Sequence, residues 1–322
     1  MKNILITSAG KRVELVREFQ ETVRSFMPNS KVFATELNPL LAPATYICDF
    51  CFKVPRVTDA DYIETLEKVC KDNNVGLVVP TIDTELLYLA NNKKRFASFG
   101  CYLLVPDTSF VQICRDKRLI ESFFVNHNIR IPEKRDKQNP IFPMFAKPYD
   151  GSLSKDTFVI KEEADLIPYV MEHPKLMFME YIDKKVYQEF TVDMYYGKDN
   201  RIKCIVPRER IEIRAGEINK GITRKNDIVE YLYKRLEYLP GVTGCICLQL
   251  FHHLETHDIV GIEINPRFGG GYPLSYAAGA NFPEMTIREY LLGEKVNYFD
   301  DWKDCTLMLR YDASVIVHDA TL

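Results

Sequence analysis

The chain has 322 residues, 46% of them hydrophobic, and a formal net charge of −3. That is length for two or three domains of about 100–200 residues each, and the charge balance argues against a large nucleic-acid footprint. No apolar run reaches the roughly 18 residues a membrane span needs, and the N-terminus enters a strand pattern without a signal-peptide pattern, so a cytoplasmic protein is expected.

Ile4 to Thr7 reads as a short apolar strand running into Ser8-Ala9-Gly10. A helical stripe of Val13, Val16, Phe19, Val23 and Phe26 follows, then a strand over Lys31 to Thr35 ending at Glu36. Gly76 to Pro80 is a further strand, with a helix opening at Glu85. Strand and helix alternating in this way predict a parallel, doubly wound sheet. The first turn has one glycine where a dinucleotide fingerprint needs G-x-G-x-x-G, so a Rossmann-like sheet without a nicotinamide is expected. The turns Ser8–Arg12, Glu36–Asn38 and Thr81–Thr84 read either as ordinary cap chemistry or as holders of a polar substrate at the carboxyl ends of the strands.

Asp107-Thr108-Ser109 opens a helix carrying Val111, Ile113 and Cys114, and Asp116-Lys117 leads into a second with Leu119, Phe123 and Phe124. Met144 to Lys147 reads as a strand, Asp150 to Lys155 as a loop, and Thr157 to Ile160 as the returning strand. The loop between Lys147 and Lys155 is either a plain hairpin turn or a cover over phosphates. Leu176 to Ile182 is a strand in which Glu180 precedes an apolar exit, suited to the polar edge of a purine between apolar walls. The next strand puts Glu189, Thr191 and Asp193 on one face. Arg208, Arg210, Arg214 and Lys220 then crowd one segment, which reads as a solvated face or, beside a phosphate, as cations that offset transferring charge.

Two alternating strands follow. In Gly244 to Phe251 the apolar face is Ile246, Leu248 and Leu250, with Gln249 opposite; in Gly261 to Asn265, Ile262 and Ile264 oppose Glu263 and Asn265. The polar connector His252 to Asp258 predicts a hairpin, and a symmetric one sets Gln249 across from Glu263 with Cβ atoms about 4.5–5.5 Å apart. Three oxygen-bearing side chains at one point can share a hard cation such as Mg²⁺, although a hairpin with a solvated polar face has the same pattern. Pro266 ends the strand, Arg267 follows, and Gly269 to Gly271 let the backbone pass close to a ligand. His252, His253 and His257 are read as residues of a solvated turn. The nine cysteines, Cys48-x-x-Cys51 included, are read as reduced thiols. A last apolar strand is expected over Thr306 to Val317, interrupted by Arg310 and Asp312.

Taken together, Gln249 with Glu263-Ile264-Asn265-Pro266-Arg267, preceded in order by Asp116-Lys117, Lys147-Pro148, Glu180 and Glu189-Phe190-Thr191-Val192-Asp193, resembles the ATP-grasp superfamily. The likeness is to single-chain carboxylate–amine ligases related to carbamoyl-phosphate synthase large-subunit domains. It implies an α/β and α+β chain: a Rossmann-like parallel-sheet (pre-ATP-grasp) domain over 1–106, a small lobe over 107–182 and a large lobe over 183–322, the last two forming a two-lobed ATP-grasp fold. Carried over residue by residue, Lys117, Lys147 and Ser152 contact ATP phosphates, Glu180, Tyr181 and Ile182 form the adenine hinge, and Glu189 holds the ribose. Gln249, Glu263 and Asn265 bind Mg²⁺ (or Mn²⁺), Arg267 contacts the transferred phosphoryl group, and Arg214 and Lys220 lie near substrate and phosphate.

The phosphate loop is poorer in glycine than is usual in the family, and Gln249 stands where some members have an acidic ligand. The implied reaction is ATP-dependent activation of a carboxylate as an acyl phosphate and its coupling to an amine. Phosphorylation without an amine acceptor and nucleotide binding without turnover are the alternatives. The expected partners are small-molecule carboxylate and amine substrates, with no nucleic acid and no membrane, and the expected assembly is a homodimer.

Overall fold

The computed structural model describes residues 2–150, 156–214 and 216–320. The first unit is built from β1 (Asn3–Thr7), α1 (Val13–Phe26), β2 (Val32–Glu36), β3 (Phe50–Lys53), α2 (Tyr62–Asp72), β4 (Val75–Pro80), α3 (Asp83–Ala97) and β5 (Tyr102–Leu103). All its strand pairs are parallel, in the order β3-β2-β1-β4-β5. The doubly wound expectation is therefore met, with β3, α2 and β5 added. Val16, Phe19 and Val23, the predicted stripe of α1, are buried on one face of the sheet, while Leu66, Leu86, Leu89 and Phe96 fill the other.

Two short helices follow, α4 (Thr108–Arg115) and α5 (Lys117–Asn126); the Asp116 side chain caps α5 by accepting from the Arg118 N–H at 2.9 Å. Next come β6 (Met144–Pro148), β7 (Phe158–Ile160), α6 (Pro168–Glu172) and β8 (Leu176–Glu180). The strands form a small antiparallel sheet in the order β7-β6-β8, with a core of its own made by Met144, Ala146, Ile160, Val170 and Phe178.

The large sheet comprises β9 (Tyr187–Tyr196), β10 (Ile202–Arg214), β11 (Glu217–Thr223), β12 (Gly244–His253), β13 (Ile259–Asn265) and β14 (Leu307–Leu309), with α7 (Asp227–Leu236) inserted between β11 and β12. It is antiparallel throughout, in the order β13-β12-β9-β10-β11-β14. On one face Ile246, Leu248 and Leu250 pack with Ile228, Leu232 and Leu236 of α7 and with Phe123 and Phe124 of α5. On the other, Tyr195, Cys204, Val206 and Cys245 join the core of β1 and α1, together with α8 (Tyr272–Ala277) and α9 (Phe282–Ile287). No helix among the described residues is long and apolar enough to cross a membrane.

Two expectations fail here. The last strand is only Leu307–Leu309; the Arg310 N–H still donates to the Asn219 carbonyl at 3.0 Å, while its side chain donates to the Gly270 carbonyl and pairs with Glu217, and Asp312 pairs with Arg214. His252 and His253 belong to β12 and not to the turn, and His252 is buried beneath α7.

Candidate active site

The register of β12 and β13 sets Gln249 directly opposite Glu263, as alternation and the hairpin predicted. Gln249 Nε2 donates to Glu263 Oε1 at 2.9 Å, and Asn265 Nδ2 donates to the same oxygen at 3.0 Å. Half a turn about the terminal torsion of each amide would present two amide oxygens and a carboxylate to one space. That all-oxygen donor set suits a hard divalent cation such as Mg²⁺ or Mn²⁺.

Arg210, on β10, extends the cluster. Its Nη1 donates to Gln249 Oε1 at 3.1 Å and to Glu189 Oε1 at 2.7 Å, and its side chain is 6% exposed. Nη2 donates to the Gly216 carbonyl at 2.9 Å. Glu189 also takes Lys184 at 2.8 Å, so its carboxylate lies between two cations. Arg208 is buried too, held by Asp193 at 2.7 and 2.9 Å. The reading of this basic segment as a solvated face thus fails for both residues, whose partners stand on the neighbouring strand β9. Arg214 and Lys220 lie further out on the β10–β11 hairpin; they are exposed, pair with Asp312 and Glu212 respectively, and do not join the Gln249–Glu263 cluster.

The small sheet faces this cluster through Lys147 on β6. Burial lowers the pKa of its ammonium from the ordinary lysine value, with Glu263 opposing the shift and Lys117 adding to it, so both charges reach the Lys147 ammonium. No hydrogen bond or ion pair engages the Lys147 ammonium among the described residues. The Lys117 backbone N–H donates to the Tyr149 carbonyl at 3.0 Å, which sets the start of α5 against the end of β6. Ser152, in the expected phosphate loop, lies outside the described residues.

At the end of β8, the Glu180 carboxylate accepts from Arg130 Nη2 at 2.8 Å through both oxygens and from the Glu133 N–H at 3.1 Å. The chain runs on through Tyr181 and Ile182, just beyond the strand. Arg130 was not singled out from the sequence, since it sits in an irregular connection with no periodicity to mark it.

Arg267 follows β13 and turns towards the N-terminal unit, where Nη2 and Nε lie 2.8 and 3.2 Å from Asp83 Oδ2 at the start of α3. The glycine run behind it is required by side chains of the protein itself. A Cβ on Gly271 would stand 2.2 Å from Arg208 Nη1, and one on Gly270 would stand 2.3 Å from Arg12 Nη1. Arg12 also reaches Glu217 at 3.3 Å. Burial lowers its pKa, Glu217 opposes the shift, and Arg267 and Arg310 add to it.

A parallel-sheet unit followed by a small and a large antiparallel sheet, with a lone lysine facing an amide–carboxylate cluster, is the architecture of the ATP-grasp proteins. Comparison with known families agrees. Residues 172–309 match the family described as ATP-grasp in the biosynthetic pathway with Ter operon, and residues 4–104 match the PylC-like N-terminal domain. Residues 172–309 thus carry an ATP-grasp family match, and the fold of the chain is of the ATP-grasp kind.

No curated protein matches it significantly. Among solved structures, the biotin carboxylase domain dimer of Hydrogenobacter thermophilus 2-oxoglutarate carboxylase, in complex with MgADP, ADP and bicarbonate, is similar with a TM-score of 0.69 at 13% identity; the match covers 94% of this chain and 73% of that one. The N5-carboxyaminoimidazole synthetase of Staphylococcus aureus is similar with a TM-score of 0.68 at 14% identity, over 92% and 80%. The L-amino acid ligase of Bacillus licheniformis has a TM-score of 0.67 at 16% identity, over 90% and 74%. At these identities the likeness is one of fold.

Proposed function

We propose that the protein is an ADP-forming carbon–nitrogen ligase. A substrate carboxylate attacks the γ-phosphorus of ATP to give an acyl phosphate and ADP, and an amine then displaces phosphate to leave an amide or peptide bond. The observation that carries this reading is the convergence of Gln249 and Asn265 on Glu263 Oε1, with Arg210 closing one side. In the proposed roles, Lys117, Lys147 and Ser152 hold phosphates, Glu180 orders the Tyr181–Ile182 hinge for adenine, and Glu189 takes the ribose hydroxyls. Gln249, Glu263 and Asn265 hold Mg²⁺ or Mn²⁺. Arg267 meets the transferred phosphoryl group, and Arg214 and Lys220 serve substrate and phosphate from the rim.

The metal, when bound, offsets the charge of the triphosphate. The chain's own contribution is to hold two reactants in line and to keep cations around the space where charge moves. No protein nucleophile is needed. The division into units at 1–106, 107–182 and 183–322, a cytoplasmic location and a homodimer are part of the same proposal, with neither nucleic acid nor membrane as partner.

The test is ADP and phosphate release from Mg-ATP over a panel of carboxylate and amine pairs. We expect release that needs both substrates and is abolished in Glu263→Ala, whose far-UV circular dichroism and melting curve stay those of the parent. Full activity in that variant overturns the proposal. Release that needs a carboxylate but no amine would replace ligation by phosphorylation alone, and nucleotide binding without release would make the protein a regulator.

A further inference from the structure

On the face of the large sheet away from Glu263, β12 ends beneath the start of α7. His252 continues the buried row of Ile246, Leu248 and Leu250 and is itself 6% exposed. Its Nε2 lies 3.0 Å from Asp227 Oδ1 and 3.2 Å from Asp227 Oδ2. His257, in the turn between β12 and β13, brings Nδ1 to 3.4 Å from the same Asp227 Oδ2. One donor atom from each residue thus falls within 4.8 Å of the other two.

Each of the three is placed by local structure. The Asn226 side chain accepts from the Ile228 N–H at 3.3 Å and sets the first turn of α7, which carries Asp227. His253 Nδ1 accepts from the N–H groups of Glu255 and Thr256, both at 3.1 Å, and the His257 N–H donates to the His253 carbonyl at 3.2 Å. The turn so wound holds His257 at φ 59°, a region that few side chains adopt, and sets its ring beside the carboxylate.

We propose that Asp227, His252 and His257 form a binding site for a borderline divalent transition-metal cation, zinc foremost, with water filling the remaining positions. Bonds of about 2.1 Å to zinc hold two donors about 3.0 Å apart at a right angle and about 3.4 Å apart at the tetrahedral angle. Measured from the single oxygen Asp227 Oδ2, the two ring nitrogens stand at 3.2 and 3.4 Å, inside that range. Two imidazole nitrogens and one carboxylate oxygen favour zinc and its neighbours, whereas magnesium and calcium take oxygen alone. The site therefore differs in kind from the all-oxygen cluster around Glu263, and it does not depend on the proposed ligase reaction. The side chains of Asp227 and His257 are 44% and 63% exposed, so an ion enters from solvent and ties α7 to the β12–β13 turn.

The full chain, freed of any affinity tag and stripped with a chelator, is titrated with zinc chloride in magnesium-containing buffer. Calorimetry and thermal melting are the readouts, and cobalt(II) serves as a visible-absorption probe. We expect one equivalent of zinc and a raised Tm. His257→Ala, a change at an exposed turn, should melt as the parent does without zinc, bind zinc at least about tenfold more weakly and lose the Tm rise. Asp227→Asn should weaken binding as well. Absence of stoichiometric binding, equal affinity in His257→Ala, or a cobalt spectrum with thiolate charge-transfer bands would each overturn the site; the last would move the ion to cysteines.

Discussion

Arg267 Nη2 lies 2.8 Å from Asp83 Oδ2, joining residues 184 positions apart and linking the end of the strand that carries Glu263 to the first turn of a helix in the N-terminal unit. The Arg267 side chain is 16% exposed, so removing its partner leaves a charge largely shielded from water. Asp83→Ala should destabilise the protein by about 1–3 kcal/mol, and ADP release should fall as Arg267 loses its orientation. Asp83→Asn should lose less, because its amide oxygen still accepts. Urea unfolding and steady-state kinetics of both variants check this; an unchanged midpoint in Asp83→Ala would show that the pair contributes nothing.

Arg210 holds Glu189 and Gln249 together from one guanidinium. Replacing it with Met keeps the length of the side chain and removes the charge. In the ADP-release assay we expect kcat to fall about 10²-fold or more, with far-UV circular dichroism unaltered. A variant as fast as the parent would remove Arg210 from the site.

Asp193 is fully buried and accepts from Arg208, from Ser275 Oγ at 2.6 Å and from Cys247 Sγ at 3.0 Å. Asp193→Ala strands the Arg208 charge in the core and should cost about 3–5 kcal/mol. Gly271→Ala presses on the same guanidinium and should also destabilise, by overlap and not by lost charge. Equilibrium denaturation of both variants measures the two effects.

Glu18, on α1, is 6% exposed, and its Oε2 has no hydrogen-bond partner among the described residues. Burial, with the charges of Glu14, Asp193 and Glu21, pushes its carboxyl pKa well above the ordinary value. The native protein therefore keeps this proton to a higher pH than the unfolded chain does. The stability that Glu18 contributes is full below the unfolded value of about 4.3 and is lost as pH rises through the native one. Glu18→Gln should thus gain on the parent at pH 8, with the gain shrinking towards pH 4. Urea titrations at several pH values test it, and a difference independent of pH would contradict it.

How much of this could be read from the sequence depended on range. The pairing of Gln249 with Glu263 was legible because a period of two and a short polar connector fix a hairpin register locally. The stripe of α1 was legible for the same kind of reason. By contrast, Tyr62, Leu66 and Cys70 stand at four-residue spacing and did carry a helical signal for α2 that went unread. The burial of Arg208 and Arg210 was not available from local pattern, because their partners, Asp193 and Glu189, lie across a strand pair whose register the sequence leaves open. The Arg267–Asp83 pair was further out of reach, since it depends on how two different sheets meet.

That meeting has a further consequence. Tyr195, Cys204, Val206, Cys245, Phe268 and Tyr272 share one apolar core with Ile4, Ile6, Val16 and Phe19, whereas the small sheet closes around a core of its own. The first hundred residues are accordingly not a detachable module. Excising them would leave half of the large sheet wet and prone to aggregate, so a fragment beginning near residue 107 is a poor choice for expression. The small sheet, by comparison, contributes no described residue to that shared core and meets the rest of the molecule through polar contacts such as Glu180 with Arg130.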